Sequence, residues 1–434
     1  MTRIRRSGVS ASERSEIWEQ WKSGLWWPQG DSMKLDRRSF VKLLASAAVV
    51  SAPGCTDSSR YTEQDVERLE AQRREERERS GTGPYGPQVY RGYRGLAELP
   101  WFELADRGRL RCVAEDLPPI IDIHAHLGMS MFLAPDLDLH ARTDRVRHLL
   151  DCDGEMPGCP LDLDVYINAN FRPQDLSNLR WQVVAQTLWG SEAAATHTIP
   201  NLIDEMDASR VSQTLVLPIA FGLPFGGDMT GRWMEAIAQE GAGDRLLLAA
   251  SVHPGDPERV EKLRGYAARG ARVVKLHPTA QRFFPDAPET YPIYEECSRL
   301  GLPVLFHGGR AGIEPSYTHQ FAVMRHYEGA FRDFPGVQFV LGHSGARDVG
   351  DAIPLARQYS NVWMDVHGQG VTVLNQLIEQ VGPDRLLYGT DWPFYHLAAT
   401  LAKVLLVTRD RTDIRDAILR GNALRLLGLA SDTL

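Results

Sequence analysis

From Ile120 onward this chain alternates short apolar runs with amphipathic stretches, and no other feature narrows its fold as far. The runs are Ile120 to Ile123, Gln213 to Ile219, Leu246 to Val252, Arg272 to Leu276, Pro303 to Phe306, Val337 to Leu341, Val362 to Val366 and Leu386 to Tyr388. Between them, Ile199 to Ser209, Pro257 to Ala268, Ile293 to Leu300 and Leu374 to Val381 carry apolar residues at the three-to-four spacing of a helix that buries one face. Strands and helices in steady repetition build a parallel sheet. Eight repeats over about 310 residues predict an α/β fold of the (β/α)8 TIM-barrel type, with an open doubly wound sheet as the competing arrangement. No Gly-rich phosphate loop follows an early strand, which favours the barrel.

The rhythm breaks once, where residues 129–198 intervene after the first run. Loops that follow barrel strands lie at the catalytic end, so this stretch is read as an insertion forming a lid or wall of the substrate pocket. His140, His148, Tyr166 and Trp181 are its candidate contacts, and a purely structural cap is the plain alternative.

Residues 1–60 read as an address. Asp36-Arg37-Arg38-Ser39-Phe40-Val41-Lys42, ahead of the apolar run Leu43 to Ala52, resembles a twin-arginine export signal. The run is too short for the roughly 20 residues that cross a bilayer. Ser51-Ala52-Pro53-Gly54-Cys55 resembles a lipobox with Ala52 in place of the usual leucine, which would lipidate Cys55, and Met33 is a candidate true start. The expected location is periplasmic or membrane-anchored.

Residues 61–117 then read as a charged tether, Glu and Arg interleaved, followed by a Gly- and Pro-containing linker, and residues 118–434 as the barrel. A net charge of -8 leaves no basic footprint for nucleic acid, so a small molecule is the expected partner. Five cysteines without a C-x-x-C pair exclude a zinc finger. Cys152 and Cys159 are placed either to pair or to remain loop thiols.

Four of the apolar runs close on metal-binding side chains: His124 and His126, His307, His343 and Asp391. One histidine after a strand is ordinarily a strand-end hydrogen bonder, but a repeated imidazole at that register points to convergence around a cation. His124 and His126 are one residue apart, so on an extended strand they share a face, as does Asp122. His124, His126, His307 and Asp391 are the predicted ligands. Three nitrogens, one carboxylate and an open position suit a catalytic divalent ion, Zn²⁺ foremost. Asp391 as a mere helix cap and His343 as a strand-end hydrogen bonder are the plain readings.

The motifs IDIHAHL, VVKLHP, LFHGG, LGHSG and YGTDWP, in that order, resemble the amidohydrolase superfamily, in particular its amidohydrolase-related branch of hydrolases, lactonases and aminocarboxymuconate-semialdehyde-type decarboxylases. The resemblance runs from about Ile120 to Leu429 and implies that Asp391 moves the proton of a water and that His343 polarises a carbonyl or shuttles a proton. It also implies that Lys275, if carboxylated, would bridge a second ion with His343 as a ligand. Lys275 and His277 share one face of the fourth strand, and a lysine paired with a carboxylate or touching substrate is the alternative, with one ion expected rather than two. Arg310, directly after His307-Gly308-Gly309, is the expected anchor for an anionic substrate group, against an ordinary ion pair. His253, Asp365 and His367 sit at the same barrel end and are read as pocket lining or packing. The leading expectation is a metal-dependent hydrolase of an amide, lactone or ester, ahead of a decarboxylase of an aromatic or muconate-like acid and a non-catalytic surface binding protein.

Overall fold

The structure, a computed structural model, describes residues 59–129, 137–153, 159–222 and 227–430. The twin-arginine pair, Met33 and Cys55 lie outside the described residues.

All eight apolar runs form strands: β1 (Ile120–Ala125), β2 (Val211–Val216), β3 (Leu246–Leu248), β4 (Val274–Leu276), β5 (Val304–Phe306), β6 (Phe339–Leu341), β7 (Val362–Asp365) and β8 (Leu386–Leu387). β1, β2 and β3 pair in parallel, as do β4 through β8 in sequence order. Two parallel bridges, Ala250 with Val274 and Ala125 with Trp392, join these arcs into a closed ring. Ile123 N–H donates to Tyr388 O at 3.0 Å and Lys275 N–H to Ala250 O at 2.7 Å across the seams. A (β/α)8 barrel is the result, its edges abolished by closure.

Period two divides each strand between two buried layers. Ile121, Leu215, Ala249, Val273, Leu305, Val340, Trp363 and Leu387, each in a strand or directly beside one, form one cluster with Leu426 and Leu427 of the C-terminal helix, and this is the barrel lining. The alternate residues, such as Val274, Phe306, Phe339 and Met364, pack outward against the helices. Two residues beyond the lining, at the same parity, stand Lys275, His307, Asp365 and, after Gly389, Asp391. The inward row therefore turns from apolar to ionisable at the C-terminal ends of the strands.

The charged stretch expected to be a solvated tether is instead seated on the barrel. It forms α1 (Glu63–Arg79), whose Asp65, Leu69 and Glu76 are buried. Asp65 holds Arg325 at 2.7 Å, Arg68 pairs with Asp351, and Glu76 reaches Arg347 at 3.3 Å. The following linker also folds: Val89–Arg91 pairs antiparallel with Pro160–Asp162, Phe102–Leu104 with Leu110–Cys112, and Tyr93, Leu96 and Phe102 enter the core. Its burial explains the difference, since Tyr93 Oη finds an acceptor in Leu150 O at 2.9 Å. Between β1 and β2 lie a helix, α2 (Pro173–Trp189), and a Cys152–Cys159 disulfide.

Candidate metal centre

His124 and His126 project from the end of β1 with their ring orientations fixed from behind. His124 Nδ1 lies 2.6 Å from Asp365 Oδ2, and His126 Nδ1 lies 2.7 Å from the carbonyl oxygen of Leu217. A carbonyl can only accept, so His126 Nδ1 carries the proton. Burial raises the Asp365 carboxyl to about 7, but the backbone N–H groups of His367 and His343 and the Lys275 charge favour its ionised, accepting form. His124 Nδ1 therefore carries a proton too, and each Nε2 presents a lone pair. Those lone pairs face Asp391 Oδ1 at 3.6 and 3.2 Å. Three buried electron-pair donors turned on one another repel unless a cation sits among them, and this is the donor set of a divalent metal with its histidine–carboxylate support behind it. Lys275 Nζ, 3.3 Å from His124 Nε2, supplies one positive charge beside them.

Asp391 belongs to a second convergent group, with His343 and His367. His367 Nε2 is 3.7 Å from Asp391 Oδ2 and has no hydrogen-bond partner, and His343 Nδ1 is likewise buried and unpartnered. The other nitrogen, His343 Nε2, lies 3.1 Å from His307 Nδ1, so one proton is shared between them. Burial pushes His124, His277 and His343 well below the usual histidine range, His307 to about 4 and His367 to about 3. These rings are neutral at physiological pH, the form that binds a metal. Burial also lowers Lys275 to about 8 against the pull of Asp391 and Asp365.

The turns that carry His343 and Asp391 are strained and pinned. His343, Ser344 and Asp391 are non-glycine residues at φ of 57°, 50° and 58°, a region that costs such residues on the order of 1 kcal/mol or more. Ser344 Oγ donates to Asp365 O at 2.6 Å, and Gln369 Nε2 to His343 O at 2.6 Å. Asp391 N–H donates to His124 O at 2.6 Å, while Asp122 accepts from Thr390 Oγ1 at 2.6 Å. Asp122, on the same strand as the two histidines, thus holds the Asp391 turn rather than facing the cation position; burial raises it to about 8.

Of the predicted ligands, His124, His126 and Asp391 come together. His307 stands one imidazole away, stacked on His277 at 4.1 Å between ring centroids, with its Nε2 unpartnered. His277 Nδ1 accepts from Ala280 N–H at 3.3 Å, capping a short helix. His367 and Asp365, expected as pocket lining or packing, instead join the centre, and Asp365-Val366-His367 repeats the one-residue spacing of His124-Ala125-His126 at the end of another strand. His253 is engaged away from the centre: its Nδ1 accepts from Gly255 N–H at 3.0 Å and its Nε2 donates to Gln281 O at 3.0 Å.

Arg310 requires a correction. Its side chain is 1% exposed and forks onto Asp348, with Nε to Oδ2 at 2.8 Å, and its remaining contacts go to Tyr61 Oη and Asp65 O on and before α1. A guanidinium engaged on both sides by its own protein is a buried structural ion pair, not a substrate anchor. In the stretch between β1 and β2, Tyr166 approaches the centre: burial and then the charge of Asp391 hold its phenol well above the usual range. His148 is turned to Glu205 at 3.1 Å, His140 pairs with Glu240, and Trp181 is 72% exposed.

A family model described as amidohydrolase matches residues 121–429. Among solved structures, an uncharacterized TIM-barrel protein from Bordetella bronchiseptica is 19% identical, over 71% of this chain and 98% of its own, with a TM-score of 0.51. The 5-carboxyvanillate decarboxylase of Sphingomonas paucimobilis is 16% identical over 72% and 99%, with a TM-score of 0.50. A probable 2-pyrone-4,6-dicarboxylic acid hydrolase from Acinetobacter baumannii is 15% identical over 72% and 100%, with a TM-score of 0.44. No curated protein matches the chain. Likeness at these identities establishes the barrel and leaves the reaction to the site.

Proposed function

The chain belongs to the amidohydrolase family of metal-dependent enzymes, and we propose that it hydrolyses an amide, lactone or ester bond of a small molecule. The observation that carries this reading is Asp391 Oδ1 set 3.2 and 3.6 Å from two imidazole nitrogens whose protons are held elsewhere.

His124, His126 and Asp391 would hold one divalent cation, proposed to be Zn²⁺, with His307 or His367 completing the set. Bound there, such an ion supplies Lewis acidity, lowering the pKa of water from 15.7 to about 7 and polarising a carbonyl. Asp391 keeps a second oxygen, Oδ2, for proton work: it orients the attacking water, takes its proton and returns it to the leaving nitrogen or oxygen. His343 acts on the opposite partner, the substrate carbonyl, through its unpartnered Nδ1, while His307 holds its Nε2. The closed barrel behind them, lined by Leu305, Val340 and Trp363, excludes bulk water from that side.

Decarboxylation of an aromatic acid is the second reading: the 5-carboxyvanillate decarboxylase of Sphingomonas paucimobilis shares the barrel over 72% of this chain at a TM-score of 0.50, and the same cluster of buried imidazoles and Asp391 would serve that reaction. Export by the twin-arginine route is proposed as the setting of the reaction, and the Cys152–Cys159 disulfide supports an oxidising compartment.

The test is a screen of the Zn²⁺-loaded mature protein and its Asp391→Asn variant against lactones, esters and amides, with carbon dioxide release from hydroxybenzoates followed in parallel. Hydrolysis by the wild type and none by the variant is expected. Carbon dioxide release without hydrolysis would replace the first reading with the second.

A further inference from the structure

Helix α1 lies outside the family-matched residues 121–429, yet one of its carboxylates reaches the catalytic end of the barrel. Glu76 is buried, and its two oxygens do different work. Oε1 accepts from the backbone N–H of Tyr166 at 2.7 Å, and Oε2 accepts from Arg347 Nε at 3.3 Å. Tyr166 comes from the stretch between β1 and β2, and Arg347 from the turn that follows His343. One side chain therefore clamps two segments that are far apart in the sequence.

Both clamped residues form a wall over the centre. The Tyr166 ring lies against Gly368, where an added Cβ would stand 2.6 Å from Cε2, and Gly368 adjoins His367 at a φ of 81° that suits glycine. Tyr166 also joins Ala311 and Ala346, from the loops after β5 and β6, in a small buried cluster separate from the barrel core. The Arg347 guanidinium lies over the same ring, 5.6 Å from its centroid. The neighbouring Asn168 is tied to Ala311 O at 3.0 Å and to Tyr395 Oη, so the segment spans the mouth from β5 to β8.

We propose that Glu76 is a positioning residue for the substrate pocket: by holding the Tyr166 backbone and the Arg347 guanidinium together it sets the wall that selects the substrate's side group. The selection rests on the reading of His124, His126 and Asp391 as the reacting centre; the clamp itself does not. Nothing in the composition of α1 announces this role, because a helix of interleaved Glu and Arg shows no apolar stripe, and its buried residues are Asp65, Leu69 and Glu76 alone.

Two measurements separate these parts. Hydrogen exchange of the full mature chain reads the clamp directly. Glu76→Ala is expected to speed exchange at least tenfold in residues 163–170 while strands β4 to β8 keep their protection. Glu76→Gln retains a carbonyl acceptor for the Tyr166 N–H and is expected to restore that protection. For selection, Glu76→Ala is expected to raise KM for 4-nitrophenyl benzoate at least fivefold with kcat within twofold, and to leave 4-nitrophenyl acetate unchanged because acetate is too small to reach the wall. Unchanged exchange in residues 163–170, or acceleration spread over every strand, overturns the proposal. If the wild type turns over neither ester, the ester form of the hydrolytic reading fails, and exchange alone decides whether Glu76 holds Tyr166.

Discussion

Asp365 Oδ2 lies 2.6 Å from His124 Nδ1, while Asp365 also accepts from the backbone N–H groups of His343 at 3.2 Å and His367 at 2.7 Å. One carboxylate therefore sets the tautomer of a proposed ligand and the position of both imidazoles opposite it. Such supporting carboxylates are worth 10–100-fold in metal affinity. Asp365→Asn is expected to weaken Zn²⁺ binding by about 10–100-fold, read as a competitive chelator titration. Binding as tight as the wild type's would show that the β7 carboxylate does not orient His124.

His343 and Asp391 should fail in different ways. His343→Asn removes a proton carrier, and loss of such a group costs about 10²–10⁴ in kcat. Its Zn²⁺ content is expected to stay that of the wild type. Asp391→Asn is expected to lose both activity and bound metal, because the same carboxylate faces His124 and His126. Elemental analysis beside the kinetics distinguishes the two, and a metal-depleted His343→Asn protein would make His343 a ligand.

The eight strands and the His124, His126 and Asp391 triad were legible because they obey local rules: apolar runs of strand length, and period two at strand ends. Asp365 and His367 obeyed the same rule, but a lone Asp-x-His after one strand carries little weight until β7 is seen beside β6 and β8. Arg310 was misread for a different reason. Its partner, Asp348, is 38 residues away and lies in a loop, so nothing near Arg310 in the chain signals that its charge is already matched. The same holds for Glu76, whose contact with Tyr166 spans 90 residues.

The Arg310–Asp348 pair yields a stability prediction that opposes the anchor role. Both side chains are 1% exposed, and removing one partner of a buried ion pair leaves the other charge uncompensated, at about 3–5 kcal/mol. Arg310→Ala is expected to lose about that much by urea unfolding. Replacing both partners with apolar residues of similar size should recover most of it. An Arg310→Ala protein with native stability and a raised KM for anionic substrates alone would restore Arg310 to the substrate pocket.

Glu205 and His148, 3.1 Å apart, give the chain a pH-dependent strut behind the Asp391 turn, since Glu205 Oε2 also accepts from Trp392 Nε1 at 3.0 Å. Burial opposes the Glu205 charge, but His148, His396 and the indole outweigh it and bring the carboxyl to about 2. Burial likewise opposes the His148 charge, and Glu205 outweighs it and raises the imidazole above its ordinary value. A depressed carboxyl stabilises the fold above its unfolded pKa near 4.5 and loses that contribution as pH falls toward 2; a raised imidazole contributes fully below its unfolded value near 6.5 and loses that contribution as pH rises through the folded one. The advantage of wild type over Glu205→Gln is therefore greatest between pH 4.5 and 6.5, on the order of 2 kcal/mol, and shrinks on either side. Denaturant unfolding of both proteins from pH 3 to 9 measures it. A difference that does not vary with pH would mean that the Glu205 charge plays no part in the strut and that the side chain acts by packing alone.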